Sequence, residues 1–352
     1  MATEKLSFGM AYHGNRMPHH ARADFEDMAA NGIDTVVHML SHTDWNRHLK
    51  VMKELVEMTR ECGMDVWVDN WGIAGSPGDT AHFLGYHPEA HMIYSDGSFD
   101  PRRPCLYHPA FRAFTKEWVD AAAFIGGETI FWDEPHLPLK KADGKTFYAC
   151  TCPTCRERFF ARYGHEMPEE PDEETMAFGA ESVVDYFREV TEYSASKGMK
   201  NTVCVMLGTY GMNLENAGRV AALPHMASIG SDPYWIDTQK KNPALDVYDF
   251  VFEATKQNLA FANRYGKDHN VWIQTYQNPR GKEEDIIAAT EAAYDAGARK
   301  LFAWGYYGSE SNDYGAENGA LVRAKTFEAF RRVRDRDRDA YFAAKRREKG
   351  VN

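Results

Sequence analysis

Eight short β-like runs, most of them followed by a helical pattern, constrain this chain more than any other feature. They fall at 6–13, 34–41, 65–71, 129–136, 202–208, 227–235, 270–278 and 300–307. Several are almost continuously apolar, the pattern of parallel strands buried on both faces. The intervening helices show in the spacing. Phe25, Met28 and Ala29 lead to Gly32; Leu49, Met52, Leu55, Val56 and Met58 lead to Gly63; Ile286, Ile287, Ala289, Ala292 and Ala293 lead to Gly297. Each glycine stands where a helix ends in a left-handed residue, a conformation that costs glycine least. This rhythm, with eight strands, predicts an α/β fold: a single (β/α)8 TIM barrel spanning 1–352. An open doubly wound sheet would need a glycine-rich phosphate loop after an early strand, and no GxGxxG follows 6–13.

Two segments break the rhythm. Residues 73–104 and 137–149, after the third and fourth strands, are long and rich in Gly, Pro, His and Asp. They read as insertions that wall a pocket on the face where barrel active sites form. The net charge of −11 argues against a nucleic-acid partner, and the one basic run, Lys345, Arg346, Arg347 and Lys349, reads as a solvated helix end. No apolar stretch reaches the roughly 18–20 residues needed to cross a bilayer. The first residues carry no basic patch before an apolar run, so a cytoplasmic address without membrane contact is expected.

Of the six cysteines, three form a C-x-C-x2-C run: Cys150, Cys152 and Cys155. Such spacing brings thiolates round one tetrahedral metal, and zinc favours sulfur sets of this kind. Cys105 is the best fourth ligand, with His108 in reserve; reduced thiols in a loop are the alternative. The expected cofactor is a structural zinc held in an insertion around 105–164. Cys62 and Cys204 read as small core fillers.

Polar and aromatic residues gather at the predicted strand ends. In TIFWDEPH (129–136) an apolar run leads into Asp133 and Glu134 before Pro135 stops it. Side chains alternate along a strand, so the two carboxylates point apart. Glu134 is expected to face the mouth while Asp133 orients its neighbours; an ordinary strand-end salt bridge is the alternative. His13, Asp69, Trp71, Asp232, Tyr234, Trp235, Gln274, Tyr276 and Trp304 end other strands. Carboxylates and amides bind hydroxyls, and flat rings cover the C–H faces of sugars, so together they suggest a carbohydrate. Cleaving a glycosidic bond needs a protonated carboxyl and a second carboxylate. Glu134 fits the first role, with Asp232, or Asp69 in reserve, for the second.

The cysteine run and the strand before it resemble the glycoside hydrolase family 42 β-galactosidases and their relatives. Those enzymes hold zinc with one upstream cysteine and a C-x-C-x2-C run, followed by a helix ending in a Tyr-Gly pair. Here the matching residues are Cys105, Cys150, Cys152 and Cys155, then RERFFARYG ending at Tyr163 and Gly164. The family's acid/base glutamate ends strand four, and Glu134 occupies that place. The pattern departs where the family has Asn before that glutamate and this chain has Asp133. It departs again in VWIQTYQNPRG, where Gln274 and Tyr276 stand in place of a strand-seven nucleophile, so β-galactosidase activity is not implied.

The leading expectation is therefore a glycosidase, more readily inverting than retaining. A metal-dependent sugar isomerase, aldolase or lyase, with ligands among His13, His38, His42, Asp69, Glu134 and His136, is the second reading. A non-catalytic carbohydrate-binding barrel is the third. Aromatic residues near the loops fit either a sugar subsite or a contact between copies of the chain, leaving a homo-oligomer open.

Overall fold

The structure is a computed structural model that describes residues 5–70, 80–133, 137–205 and 214–348. Eight parallel strands close into a barrel: β1 (Ser7–Tyr12), β2 (Thr35–Met39), β3 (Asp65–Asp69), β4 (Thr129–Trp132), β5 (Lys200–Cys204), β6 (Met226–Ser231), β7 (Asp268–Gln274) and β8 (Lys300–Trp304). Each pairs with its neighbours in sequence, and β8 closes on β1 through Ser7↔Lys300 to Met10↔Ala303. The architecture is the (β/α)8 barrel that the spacing predicts. Gly32, Gly63 and Gly297, the expected helix terminators, have φ of 74°, 82° and 113°.

The two faces of every strand bury different cores. Inside the barrel, Ala11, Val37, Met39, Phe131, Cys204, Trp272 and Phe302 pack together, with Trp67, Tyr234 and Trp304 against them. Outside, the alternate residues join the helices in one large cluster that includes Phe8, Val36, Val68, Ile130, Trp132, Val203 and Ile273. Burial of both faces explains why the strands read as unbroken apolar runs.

The observed strands end one to four residues before the predicted runs do. The polar and aromatic residues after each apolar run continue the alternation in sequence but leave the ladder to form loops. Both long insertions carry a hairpin, His91–Ile93 with Phe99–Pro104 and Leu139–Ala142 with Lys145–Tyr148. A bridge between Tyr94 and Ala149 and an ion pair from Lys140 to Asp96 at 2.6 Å join them. No helix among the described residues is long and apolar enough to cross a membrane.

Candidate active site

The mouth is set by which side of each strand faces inward. On β4, Phe131 belongs to the interior cluster, whereas Trp132 turns outward, its Nε1–H donating to Asn201 Oδ1 at 2.9 Å and its ring lying against Trp118. Asp133 follows the last residue of β4 and leaves the ladder there. Its charge acts on the Tyr234 phenol, which packs against the inner cluster. Glu134, like Trp71 and His136, lies outside the described residues. Alternation along β3 carries Asp69 inward with Trp67, and Asp232 follows the end of β6, whose Gly230 lies against Asn270 and Phe131.

These acids act on one another's surroundings. Asp69 is fully buried and Asp133 is 9% exposed; the Asp133 backbone N–H donates to Asn70 Oδ1 at 3.0 Å. Tyr234 has its hydroxyl pKa pushed well above its ordinary value, first by burial and then by the charges of Asp232, Tyr276, Cys204 and Asp133. A phenol that feels Asp232 and Asp133 together puts both near one point of the mouth. Tyr276 packs edge-on to Tyr234, ring centroids 5.2 Å apart.

Across the mouth, the Trp304 ring meets His13 at 5.2 Å and Trp272 at 5.1 Å. Burial, reinforced by Arg16, lowers the His13 pKa to about 4, so its imidazole is neutral near neutral pH. Arg16 is itself gripped by Asp44 at 2.6 Å. The mouth thus combines three carboxylates, a neutral imidazole and several aromatic rings.

Comparison with known proteins adds the fold and stops there. No family model matches this sequence, and no curated protein matches it. Among solved structures, the chain is similar to the catalytic domain of β-amylase from Paenibacillus polymyxa, at 10% identity over 93% of this chain and 98% of that one, TM-score 0.62. The endo-1,4-β-mannanase of Rhizomucor miehei matches at 11% identity over 93% and 95%, TM-score 0.59. A D-psicose 3-epimerase from Clostridium cellulolyticum matches at 10% identity over 94% and 98%, TM-score 0.50. The likeness is one of fold. Sugar hydrolases and a sugar epimerase share this barrel, so its chemistry must be argued from the mouth.

Several expected site residues lie elsewhere. Trp235 is only 1% exposed and sits in the outer core, so its ring is not offered to a ligand. Gln274 spends its side-chain oxygen on the backbone N–H groups of Trp235 (2.8 Å) and Ile236 (3.0 Å), holding the loop after β6. His38 faces outward, buried, with Nε2 2.9 Å from Thr59 Oγ1, and burial lowers its pKa to about 3. His42 begins the helix after β2, and its ring lies 4.4 Å from that of His82. The residues proposed for a catalytic metal are thereby split between opposite faces of the barrel wall. Among the described residues, only the cysteine cluster brings three or more metal-binding groups together. The reading from sequence missed the inward rings of Phe131 and Trp272; their parity with Asp133 and Gln274 was the available signal.

That cluster fits a tetrahedral ion. The Sγ atoms of Cys105, Cys150, Cys152 and Cys155 are buried and lie within 4.8 Å of one another, with Cys105 3.4 Å from Cys155 and 3.5 Å from Cys152. Zinc–sulfur bonds of about 2.3 Å place sulfurs roughly 3.8 Å apart in a tetrahedron. The Ile93 N–H donates to Cys150 Sγ at 3.4 Å. Hydrogen bonds from Cys105 and the other two thiols favour the Cys152 thiolate, while burial opposes ionisation of Cys150. A divalent cation would remove that conflict by favouring all four thiolates. The cluster ties both insertions together, because Ile93 belongs to the first hairpin and Cys150 follows the second.

Proposed function

We propose that the chain is a glycoside hydrolase that cleaves a glycoside or sugar conjugate by carboxylate acid/base catalysis. The observation that supports this reading is the Tyr234 phenol at the mouth, which feels the charges of both Asp232 and Asp133 and packs against Tyr276, with the buried Asp69 on the strand beside β4. Glycosidic cleavage requires one carboxyl that gives a proton and a second that attacks or activates water.

Glu134 is assigned the general acid, giving its proton to the leaving oxygen. Asp232 activates water on the opposite face of the sugar, with Asp69 in reserve. Gln274 and Tyr276 at the strand-seven position supply no carboxylate nucleophile, which favours inversion, for which carboxyl groups stand about 6.5–9.5 Å apart. His13, Tyr234, Tyr276 and Trp304 orient the ring; Asp133 now joins them as a hydroxyl acceptor at the mouth. The zinc of the four-cysteine site, when bound, supplies folding energy and fixes the insertions. Its ligand pattern supports kinship with the family 42 hydrolases, and residues 1–352 are taken as one barrel domain with the insertion around 105–164.

A panel of aryl glycosides, differing in sugar and anomer, tests the reading. Turnover on at least one member should vanish in Glu134→Gln and Asp232→Asn, with circular dichroism unchanged. NMR of the first-formed sugar should show the inverted anomer. Undiminished rates in both variants would remove the assignment.

A further inference from the structure

A second cavity adjoins the mouth between the loops that follow β1 and β8. It encloses about 650 Å³, within the range of small-ligand sites, and Asn15, Asp24, Tyr306, Tyr307, Glu310 and Ser311 form most of its lining. It shares a wall with the mouth. Ser311 Oγ donates to the backbone oxygen of His13 at 3.3 Å, and Tyr306 follows Trp304 by two residues.

One side of the cavity is a fixed aromatic corner. The Tyr306 and Tyr307 rings stand 82° apart with centroids 4.9 Å from each other. The Tyr306 hydroxyl donates to Asp27 at 2.8 Å, and Arg323 Nε holds the same carboxylate at 2.7 Å. Tyr307 adopts φ 51° and ψ 33°, and Ser309, two residues on, has φ 57°. Left-handed backbone is unfavourable for a bulky residue and persists where the surroundings impose it, often at ligand sites. The turn carries this strain while holding a tyrosine ring against the cavity.

The other side is polar. Asp24 Oδ2 accepts from the Tyr12 hydroxyl at 2.6 Å and from Asn15 Nδ2 at 3.3 Å, while Glu310 and Ser311 are exposed to the cavity. Among the described residues lining it, none is basic. Phosphorylated and carboxylated ligands are disfavoured by that sign of charge, whereas a neutral polyol finds acceptors, donors and a ring face.

We propose that this cavity is a second saccharide subsite, seating a neutral sugar ring beside the one in the mouth, so that the substrate is an oligosaccharide. The proposal rests on the glycosidase reading of the mouth. Calorimetric titration of the full chain with mannose and β-1,4-mannotriose, and with glucose and maltotriose, tests it. One triose is expected to bind more tightly than its monosaccharide. Tyr307→Gly should weaken that triose about tenfold, the worth of one aromatic face. The same variant should leave the monosaccharide within about twofold and the Tm equal or higher, because glycine suits the left-handed position. Asn15→Ala, a change at an exposed residue, should give the same split to a smaller degree. If both variants bind the triose as the wild type does, or if monosaccharide and triose weaken equally, the subsite is overturned. A wild type that binds monosaccharide but prefers no triose also overturns it, with the glycosidase reading intact. A wild type that binds none of the four sugars removes that reading and the subsite together.

Discussion

The two ends of the barrel are built from the same strands and carry opposite chemistry. At the floor, where the strands begin, a cavity of about 620 Å³ is lined by Lys5, Lys200 and Lys300 together with Asp34, Asp65 and Asp268. These charges are interleaved by sign. Lys300 pairs with Asp268 at 2.7 Å, and Asp34 Oδ2 accepts the Phe8 N–H at 2.9 Å. At the mouth, Asp69, Asp133 and Asp232 come together with aromatic rings instead. At the floor opposite charges offset one another locally, whereas at the mouth the charges of Asp133 and Asp232 act together on the Tyr234 phenol. The two ends thus differ in how their charges are compensated, a mixed and paired floor against an acidic and aromatic mouth.

The sharpest way to break the contrast is a pair of substitutions, one at each end. Asp232→Asn should lower turnover on a cleaved glycoside by about 10²- to 10⁴-fold, the usual worth of a positioned acid or base. Lys300→Ala at the floor should leave initial rates within about twofold. Equal losses from the two would erase the distinction. The insertions that follow β3 and β4 on the mouth side give the next largest effect. Cys152→Ser should abolish bound zinc by elemental analysis and cost about 3–5 kcal/mol in chemical denaturation, since a thiolate site contributes to folding. An unchanged metal content would exclude Cys152 from the ligands.

Acid should reveal histidines at both ends. Burial lowers His13 at the mouth to about 4 and His269, near the start of β7, to about 4, both below the ordinary 6.5. A depressed pKa means the unfolded chain binds the proton first, so stability is complete above about pH 6.5 and falls as pH drops toward 4. Unfolding free energies from urea titrations should decline across that window by a few kcal/mol in total. His269→Asn, whose side chain can still meet Ser231 Oγ, now 3.0 Å from His269 Nε2, should flatten the slope. A profile unaltered by that change would deny His269 its share. The smallest effect belongs to the floor ion pair. Lys300→Ala should cost at most about 1 kcal/mol, and less in high salt, because the Asp268 carboxylate is more than half exposed. A larger loss would make the floor a keystone of closure.

Much of the fold was legible before any coordinates because parallel strands buried on both faces leave long apolar runs, and glycine marks where helices stop. Strand ends were less legible. TIFWDEPH keeps alternating in sequence after the ladder ends at Trp132, so its pattern does not place Asp133, whose charge the folded chain brings to the Tyr234 phenol. Tyr234 and Trp235 are neighbours of similar character, yet one faces the mouth and the other is sealed in the outer core. Gln274 looked like a ligand-binding amide, but two backbone donors occupy its oxygen. Nothing in a local pattern announces which distant N–H group will claim a side chain.

The amino-acid sequence alone determined the class of fold, the positions of the strands and the chemical types gathered after them, because period and composition are local properties. It also carried the C-x-C-x2-C run, whose residues are near each other in any conformation. Tertiary structure decided the rest. It brought Cys105 across from a segment 45 residues upstream of Cys150, brought the charges of Asp133 and Asp232 to Tyr234, and set Tyr306 and Tyr307 against a cavity beside His13. Those outcomes depend on strand register and on the closure of β8 onto β1, where residues nearly 300 positions apart become neighbours. Contacts of that range are fixed by the packing of the whole barrel, since no local pattern specifies which residues meet across it.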